Sequence, residues 1–155
     1  MENAVRQPYY DSILLIERLH RHFLEVLKTE LDRLGIQDIN NVQSLILYNI
    51  GDDELTVGEL TARGYYLGSN VSYNVKKMVE NGYLVQERSV HDRRSIHVKL
   101  TEKGREVRTI VDELYKKHVR TVEQVGGINA DEFVTLNKSL QRLERFWTDQ
   151  ILYRL

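Results

Sequence analysis

"SNVSYNVKKMVENGYLVQERSVHDRRSIHVKLTEKG", residues Ser69 to Gly104, carries two hydrophobic periods in succession. In its first third Val71, Val75, Met78 and Val79 recur at helical spacing, and Asn81-Gly82 ends the run. "YLVQER" then reads as a strand. In "SIHVKL", Ile96, Val98 and Leu100 alternate with Ser95, His97 and Lys99, the pattern of a half-buried antiparallel strand. Between the two strands stand Asp92, Arg93 and Arg94. Two-residue hairpin turns favour Asn-Gly or Asp-Gly, which tolerate positive φ. Neighbouring arginines at such a tip point instead to a loop that meets something negative.

Working outward, Thr56 and Glu59 have capping-box spacing at the start of "TVGELTARG", and Ser69 is placed to cap the helix after it. Upstream, the spacing predicts a helix from Ile39 to Ile50, with Val42, Leu45, Ile46 and Ile50 on one side. Another is predicted from Asp11 to Leu34, with Ile13, Ile16, Leu19, Phe23, Val26, Leu27 and Leu31 in its apolar row and Gly35 as its stop. Downstream, Thr101 caps a long helix to about Val125, and Gly126-Gly127 break it. Asn129 with Glu132 opens a last helix, in which Phe133, Leu136, Leu140, Leu143 and Trp147 form a heptad-like seam.

The resulting order is four helices, a strand, a loop, a strand and two helices. The fold class is therefore mainly α (α+β): a winged helix-turn-helix with flanking dimerisation helices. Residues 39–104 are expected to form the winged helix-turn-helix region, a module that suits DNA binding. Residues 1–38 and 105–155 form a helical dimerisation region intertwined with it in one domain. So much amphipathic helix around a compact module predicts a homodimer, because isologous pairing is the commonest closed assembly.

At about 100° per residue, Val71, Val75 and Met78 share one side of the fourth helix. Ser69, Tyr73, Lys76 and Lys77 fall opposite, with Asn70 at the edge. Such a face can lie in a major groove. Asn70 suits adenine, and Ser69 or Ser72 suits a base or a phosphate. Tyr73 offers a hydroxyl to phosphate or a ring to a thymine methyl. Lys76 and Lys77 suit phosphates, which position a protein without specifying sequence.

The charge distribution agrees. The 155-residue chain has a formal net charge of -1, yet from Arg63 to Arg108 ten Lys/Arg face five Asp/Glu, a local +5. A basic module on an acidic body is an electrostatic footprint of nucleic-acid binding. With no cysteine, thiolate metal sites, Cys nucleophiles and thiol redox switching are excluded. His20 and His22 lie two apart on a helix and point different ways, and neither HxxxH nor HExxH occurs, so no metal or cofactor is expected. No nucleophile motif or phosphate-cradling glycine loop is present, and an enzyme is not expected. The N-terminal segment lacks the flank and core of a signal peptide, and no apolar run approaches membrane-spanning length. The expectation is a cytoplasmic protein with no membrane association.

The stretch from Leu55 to Gly104 resembles the core of the MarR family of bacterial transcription regulators. The residues that carry the resemblance are D-R-R-S-x-x-V-x-L-T-x-x-G from Asp92 to Gly104 and S-N-V-S-Y-N-V-x-x-M-V-x-x-G-Y-L from Ser69 to Leu84. The resemblance implies that the hairpin loop is the wing of a winged helix. Arg94 would enter the minor groove, Arg93 would meet a phosphate or make a second groove contact, and Asp92 would hold an arginine in place. A guanidinium suits the negative potential of a narrow groove, and a carboxylate can fix its planar fork. It further implies a dimer on a pseudo-palindromic double-stranded operator, repression as the usual sign, and a small-molecule effector between the dimerisation helices and the winged module. His20, Phe23 and Tyr48 are the candidate lining of that effector site. Three departures stand out: Tyr73 where the family often has Arg, Asn74 at a usually apolar position, and displaced glycines in the turn "RGYYLG". Two other readings use the same fold: a winged-helix protein-interaction module without DNA binding, and a metal- or pH-sensing regulator using the histidines.

Overall fold

The computed structural model describes residues 1–63, 68–88 and 95–153, and of Ser69 the backbone alone. Its elements run α1 (Glu2–Arg33), α2 (Asn41–Ile50), β1 (Leu55–Thr56), α3 (Val57–Ala62), α4 (Gly68–Glu80), β2 (Leu84–Arg88), β3 (Ile96–Leu100), α5 (Glu102–Thr121) and α6 (Ala130–Tyr153). The chain divides into two compact units, residues 1–113 and 114–155.

The core of the first unit is built where the periodicity of the central stretch places it. Val71, Val75 and Met78 of α4 pack with Ile46, Leu47 and Ile50 of α2, Leu60 of α3, Leu84 of β2, and Val98 and Leu100 of β3. Each such side chain contributes about 1.5–3 kcal/mol when fully removed from water. The sheet has the order β1-β3-β2, antiparallel throughout. Leu55 pairs with Val98, and the hairpin ladder runs from Leu84↔Leu100 to Arg88↔Ile96. This register fixes where the chain enters and leaves the connection 89–95.

Capping chemistry sets the boundaries. Asn40 and Gln43 form a complete capping box at α2, Thr56 accepts from the Glu59 amide at α3, and Asn129 and Glu132 cap α6 reciprocally. At the end of α4 the Tyr83 amide bonds to the Met78 carbonyl at 2.8 Å and the Gly82 amide to Val79 at 3.1 Å. This Schellman closure needs the left-handed φ of +83° that Gly82 adopts.

Four expectations are corrected. β1 was not foreseen: a two-residue strand has no period of its own and exists through its pairing with β3. α1 begins at Glu2, nine residues earlier than its periodicity, and carries Pro8 within it. α4 begins at Gly68, so Ser69 is its second residue and not the residue ahead of it. α5 ends at Thr121 and passes into turns before Gly126. Within elements, Leu47 joins Ile46 and Ile50 on the buried side of α2, while Val42 and Leu45 are half-buried. Ile96 is 46% exposed because it sits at the open end of the ladder.

The glycine of the T-x-x-G stretch acquires a steric reason. Thr101 donates its hydroxyl to the Gly82 carbonyl at 2.6 Å and accepts from the Gly104 amide at 3.1 Å, which draws the first turn of α5 against the start of β2. A Cβ at Gly104 would press into the Tyr83 carbonyl oxygen, well inside van der Waals contact, and lie 3.1 Å from Leu100 Cδ2. The obstacle is backbone and cannot swing aside. Gly104→Ala is expected to lower unfolding stability by about 1–3 kcal/mol, read as a shifted midpoint in urea titration; an unchanged midpoint would contradict the close approach.

Candidate nucleic-acid interface

The outer face of α4 is built by default, from what the inner face consumes. With Val71, Val75 and Met78 at 1% exposure or less, the opposite face must point to solvent. Asn70, Ser72, Tyr73, Lys76 and Lys77 are all exposed there, Tyr73 at 61%. Lys77 lies 3.8 Å from Glu80, an exposed i,i+3 pair that costs little to break; among the described residues no ion pair engages Lys76. The face therefore combines amide, hydroxyl, phenol and ammonium groups on a rigid helix whose far side is anchored in the core. Ser69 contributes its backbone to the first turn, and its side chain lies outside the described residues. Asp92, Arg93 and Arg94 likewise lie outside them.

What the structure does provide is the stem of the hairpin. Gln86, Glu87 and Arg88 are exposed along β2. On β3, Lys99 bridges Glu87 at 2.9 Å and Glu54 at 3.9 Å, and His97 approaches Glu54 at 3.9 Å. The Glu87 carboxylate raises the Lys99 pKa, chiefly by hydrogen bonding to its ammonium. These contacts link β3 to β2 and to Glu54, just ahead of β1.

A second cluster holds the C-terminal end of α4. Asp38, in the α1–α2 connection, accepts from Lys103 at 2.9 Å and from the Tyr83 hydroxyl. Its carbonyl accepts from Asn81 Nδ2 at 3.1 Å, and Lys103 also donates to the Asn81 carbonyl and lies 4.3 Å from the centre of the Tyr83 ring. Sequence reasoning missed this cluster because its members are spread from residue 38 to residue 103. The Lys103 ammonium, then the Tyr83 hydroxyl, lower the Asp38 pKa by hydrogen bonding; burial, then Asp38, raise that of Tyr83. A carboxyl held below its ordinary value stabilises the fold above that value and loses its contribution as pH falls through the folded-state pKa. Asp38→Asn is therefore expected to cost less than about 1 kcal/mol at neutral pH and to flatten the loss of stability below about pH 4. Thermal melts at several pH values would check it, and an acid limb identical to wild type would refute the pairing.

His20 and Phe23 are exposed on α1, and Tyr48 is half-buried on α2. A cleft of about 470 Å³ opens at the α1–α2 corner, lined by Lys28, Leu31, Ile36, Ile39, Asn40 and Asn41 among others, and includes none of the three. Among the described residues, no group of three or more His, Asp or Glu is placed to hold a metal ion, and no helix is long and apolar enough to cross a membrane.

A helix-turn-helix whose second helix shows a polar, basic face, followed by a three-stranded antiparallel wing stem, defines a winged-helix protein. Comparison with known proteins agrees. A family model described as MarR family matches residues 37–95. The Rhizobium meliloti (strain 1021) protein named exopolysaccharide II synthesis transcriptional activator ExpG is 35% identical over 145 residues, covering 94% of this chain and 74% of that one. Streptococcus pneumoniae FabT, solved in complex with DNA, superposes with a TM-score of 0.73 at 22% identity, over 91% of this chain and 98% of that one. Staphylococcus aureus MarR, solved with salicylate and kanamycin, gives 0.73 at 22% identity over 95% of each. The chain belongs to the MarR family of transcriptional regulators.

Proposed function

We propose that this chain is a dimeric, sequence-specific DNA-binding regulator that reads a pseudo-palindromic operator with two copies of α4, and whose DNA affinity a small molecule modulates. The observation that carries the reading is the exposed row Asn70, Ser72, Tyr73, Lys76 and Lys77 on a helix with a fully buried opposite stripe. Asn70, Ser72 and Ser69 read base edges, Tyr73 a phosphate or a thymine methyl, and Lys76 and Lys77 phosphates. Arg94 and Arg93, oriented by Asp92, reach the minor groove and its phosphates.

Dimerisation is supported by apolar rows exposed on α1 and on α6. On α6 no residue is buried, with Leu136 and Leu140 at least 40% exposed. Along α1 only Leu27 and Leu31 are buried, while Leu14, Leu15, Leu19 and Phe23 face outward. Residues 1–38 and 105–155 are thus the dimerisation region and 39–104 the reading module. Half-sites are then one helical turn apart on one face of the duplex.

Small-molecule modulation rests on the S. aureus relative, solved with salicylate and kanamycin, and His20, Phe23 and Tyr48 remain the proposed lining. An effector acts through its differential affinity for DNA-competent and DNA-incompetent dimers. The sign of regulation follows operator position. The repressor expectation draws no support from the relative matched over 94% of this chain, which is named an activator.

The test is selection of duplexes from a random pool by the purified full chain, followed by titration across a salt series. An enriched inverted repeat, bound with a steep negative slope of log affinity against log salt, is the expected outcome. Absence of any enriched sequence would favour a protein-docking module.

A further inference from the structure

Asn74 stands on the inner face of α4, on the side of Val71, Val75 and Met78, where helical period alone would place another apolar side chain. It is 9% exposed, and Gln43 of α2, which meets it, is 7% exposed. The two belong to a head-to-tail series of amide hydrogen bonds. The Asn40 backbone N–H donates to Gln43 Oε1 at 3.0 Å, Gln43 Nε2 donates to Asn74 Oδ1 at 3.1 Å, and Asn74 Nδ2 donates to the Asn70 carbonyl at 2.7 Å. Asn40 Oδ1 in turn accepts from the Gln43 backbone N–H at 2.8 Å. The series runs from the cap of α2 to the first turn of α4, ending on the backbone of a residue whose side chain faces outward. Asn41 Nδ2, next to the cap, bonds to the Leu24 carbonyl of α1 at 3.0 Å, so the origin of the series is itself anchored.

Stability alone gives little reason for this arrangement. A satisfied amide pair in a core is worth about as much as an apolar pair of similar shape, whereas a half-satisfied one is costly. What the pair adds is direction. Contacts of Val71, Val75 and Met78 set which face of α4 turns inward, and a hydrogen bond, which weakens steeply with angle, adds a finer constraint on its rotation. Rotating a helix by about 15° moves a side-chain tip ~6 Å from its axis by ~1.6 Å, over half the length of a hydrogen bond.

We infer that Gln43 and Asn74 are positioning residues that set the rotation of α4 about its own axis, and so determine which base edges Asn70, Ser72 and Tyr73 meet. The inference rests on the DNA-reading function proposed above. Neither residue touches DNA in this role. Removing the pair as a unit should leave the fold and the phosphate contacts in place and degrade sequence discrimination.

The experiment compares wild type, Gln43→Leu/Asn74→Leu and Gln43→Met for binding to the duplex that wild type selects and to a scrambled duplex of equal length, across a salt series. In the double variant the melting temperature should fall by no more than the lost Asn40 N–H to Gln43 cap bond accounts for, and scrambled-duplex affinity and salt slope should be unchanged. The ratio of selected to scrambled affinity should fall at least tenfold. Gln43→Met, near-isosteric but unable to donate to Asn74, should lose at least threefold in the ratio, and it decides the matter if the double variant does not fold. A ratio within twofold of wild type in the folded variants overturns the inference, as does a parallel fall in both affinities with a lowered melting temperature, the mark of a merely structural pair. A wild type that enriches no sequence overturns the DNA-reading function itself, and this role with it.

Discussion

Leu140→Arg should convert the protein from dimer to monomer at micromolar concentration and weaken operator binding by about 10²–10⁴-fold. Leu140 is central in the row Phe133, Leu136, Leu140, Leu143 and Trp147, whose three-and-four spacing makes one stripe along α6, and it is 40% exposed within its own chain. An exposed apolar stripe of this kind marks a surface that another apolar surface covers. In an isologous interface the substitution places two guanidinium groups at the seam, each removed from water without a carboxylate partner. Because Leu140 covers little of its own chain, helix content by circular dichroism should be nearly unchanged. The loss in affinity then comes from separating two reading heads that bind as one ligand, and each monomer retains its weak half-site affinity. Sedimentation velocity decides the first half of the prediction and titration of the selected duplex the second. A variant that stays dimeric and binds normally would place the interface elsewhere.

The second large effect concerns the wing. Arg94→Ala should cost about 1–3 kcal/mol at each wing, and a dimer carries two. A minor-groove arginine gains from the concentrated negative potential of a narrow groove, so the loss should be greatest on duplexes with A·T-rich flanks. Replacing Arg94 by Lys should recover part of the salt-dependent affinity and little of the preference, because an ammonium is more strongly hydrated and lacks the planar fork. The stem that carries the wing is intact without Arg94. The Leu84↔Leu100 to Arg88↔Ile96 ladder and the Lys99 bridges hold it from below.

The parts of this architecture that were legible in the sequence are those whose burial is periodic. The stripe Val71, Val75, Met78 determined both the inner face of α4 and, by subtraction, the outer face proposed to meet DNA. Val98 and Leu100 did the same for the central strand. Features that depend on a partner in space were not legible. β1 is a strand only because Leu55 and Thr56 pair with Val98 and His97. Ile96 follows the alternation yet is exposed, since alternation reports which side of a sheet a residue faces and not how far along the ladder the core extends. α1 runs back through Pro8 to Glu2, where neither apolar period nor propensity announced a helix, because most of that segment faces outward in the single chain. The Asp38–Tyr83–Lys103 cluster and the Gln43–Asn74 pair join residues 20 to 65 positions apart. Asn74 stood out in the sequence as a polar residue in an apolar row, but its partner could be named only once α2 and α4 were packed together.

The most direct measurement is the affinity of purified wild type and Arg94→Ala for the duplex that wild type selects from a random pool, taken across a salt series beside a scrambled duplex. Wild type should bind the selected duplex far more tightly than the scrambled one, and Arg94→Ala should lose about 5–150-fold per wing with a shallower salt slope. Equal, weak binding of both duplexes, unchanged by Arg94→Ala, would contradict the DNA-reading function and leave the winged helix as a protein-docking surface.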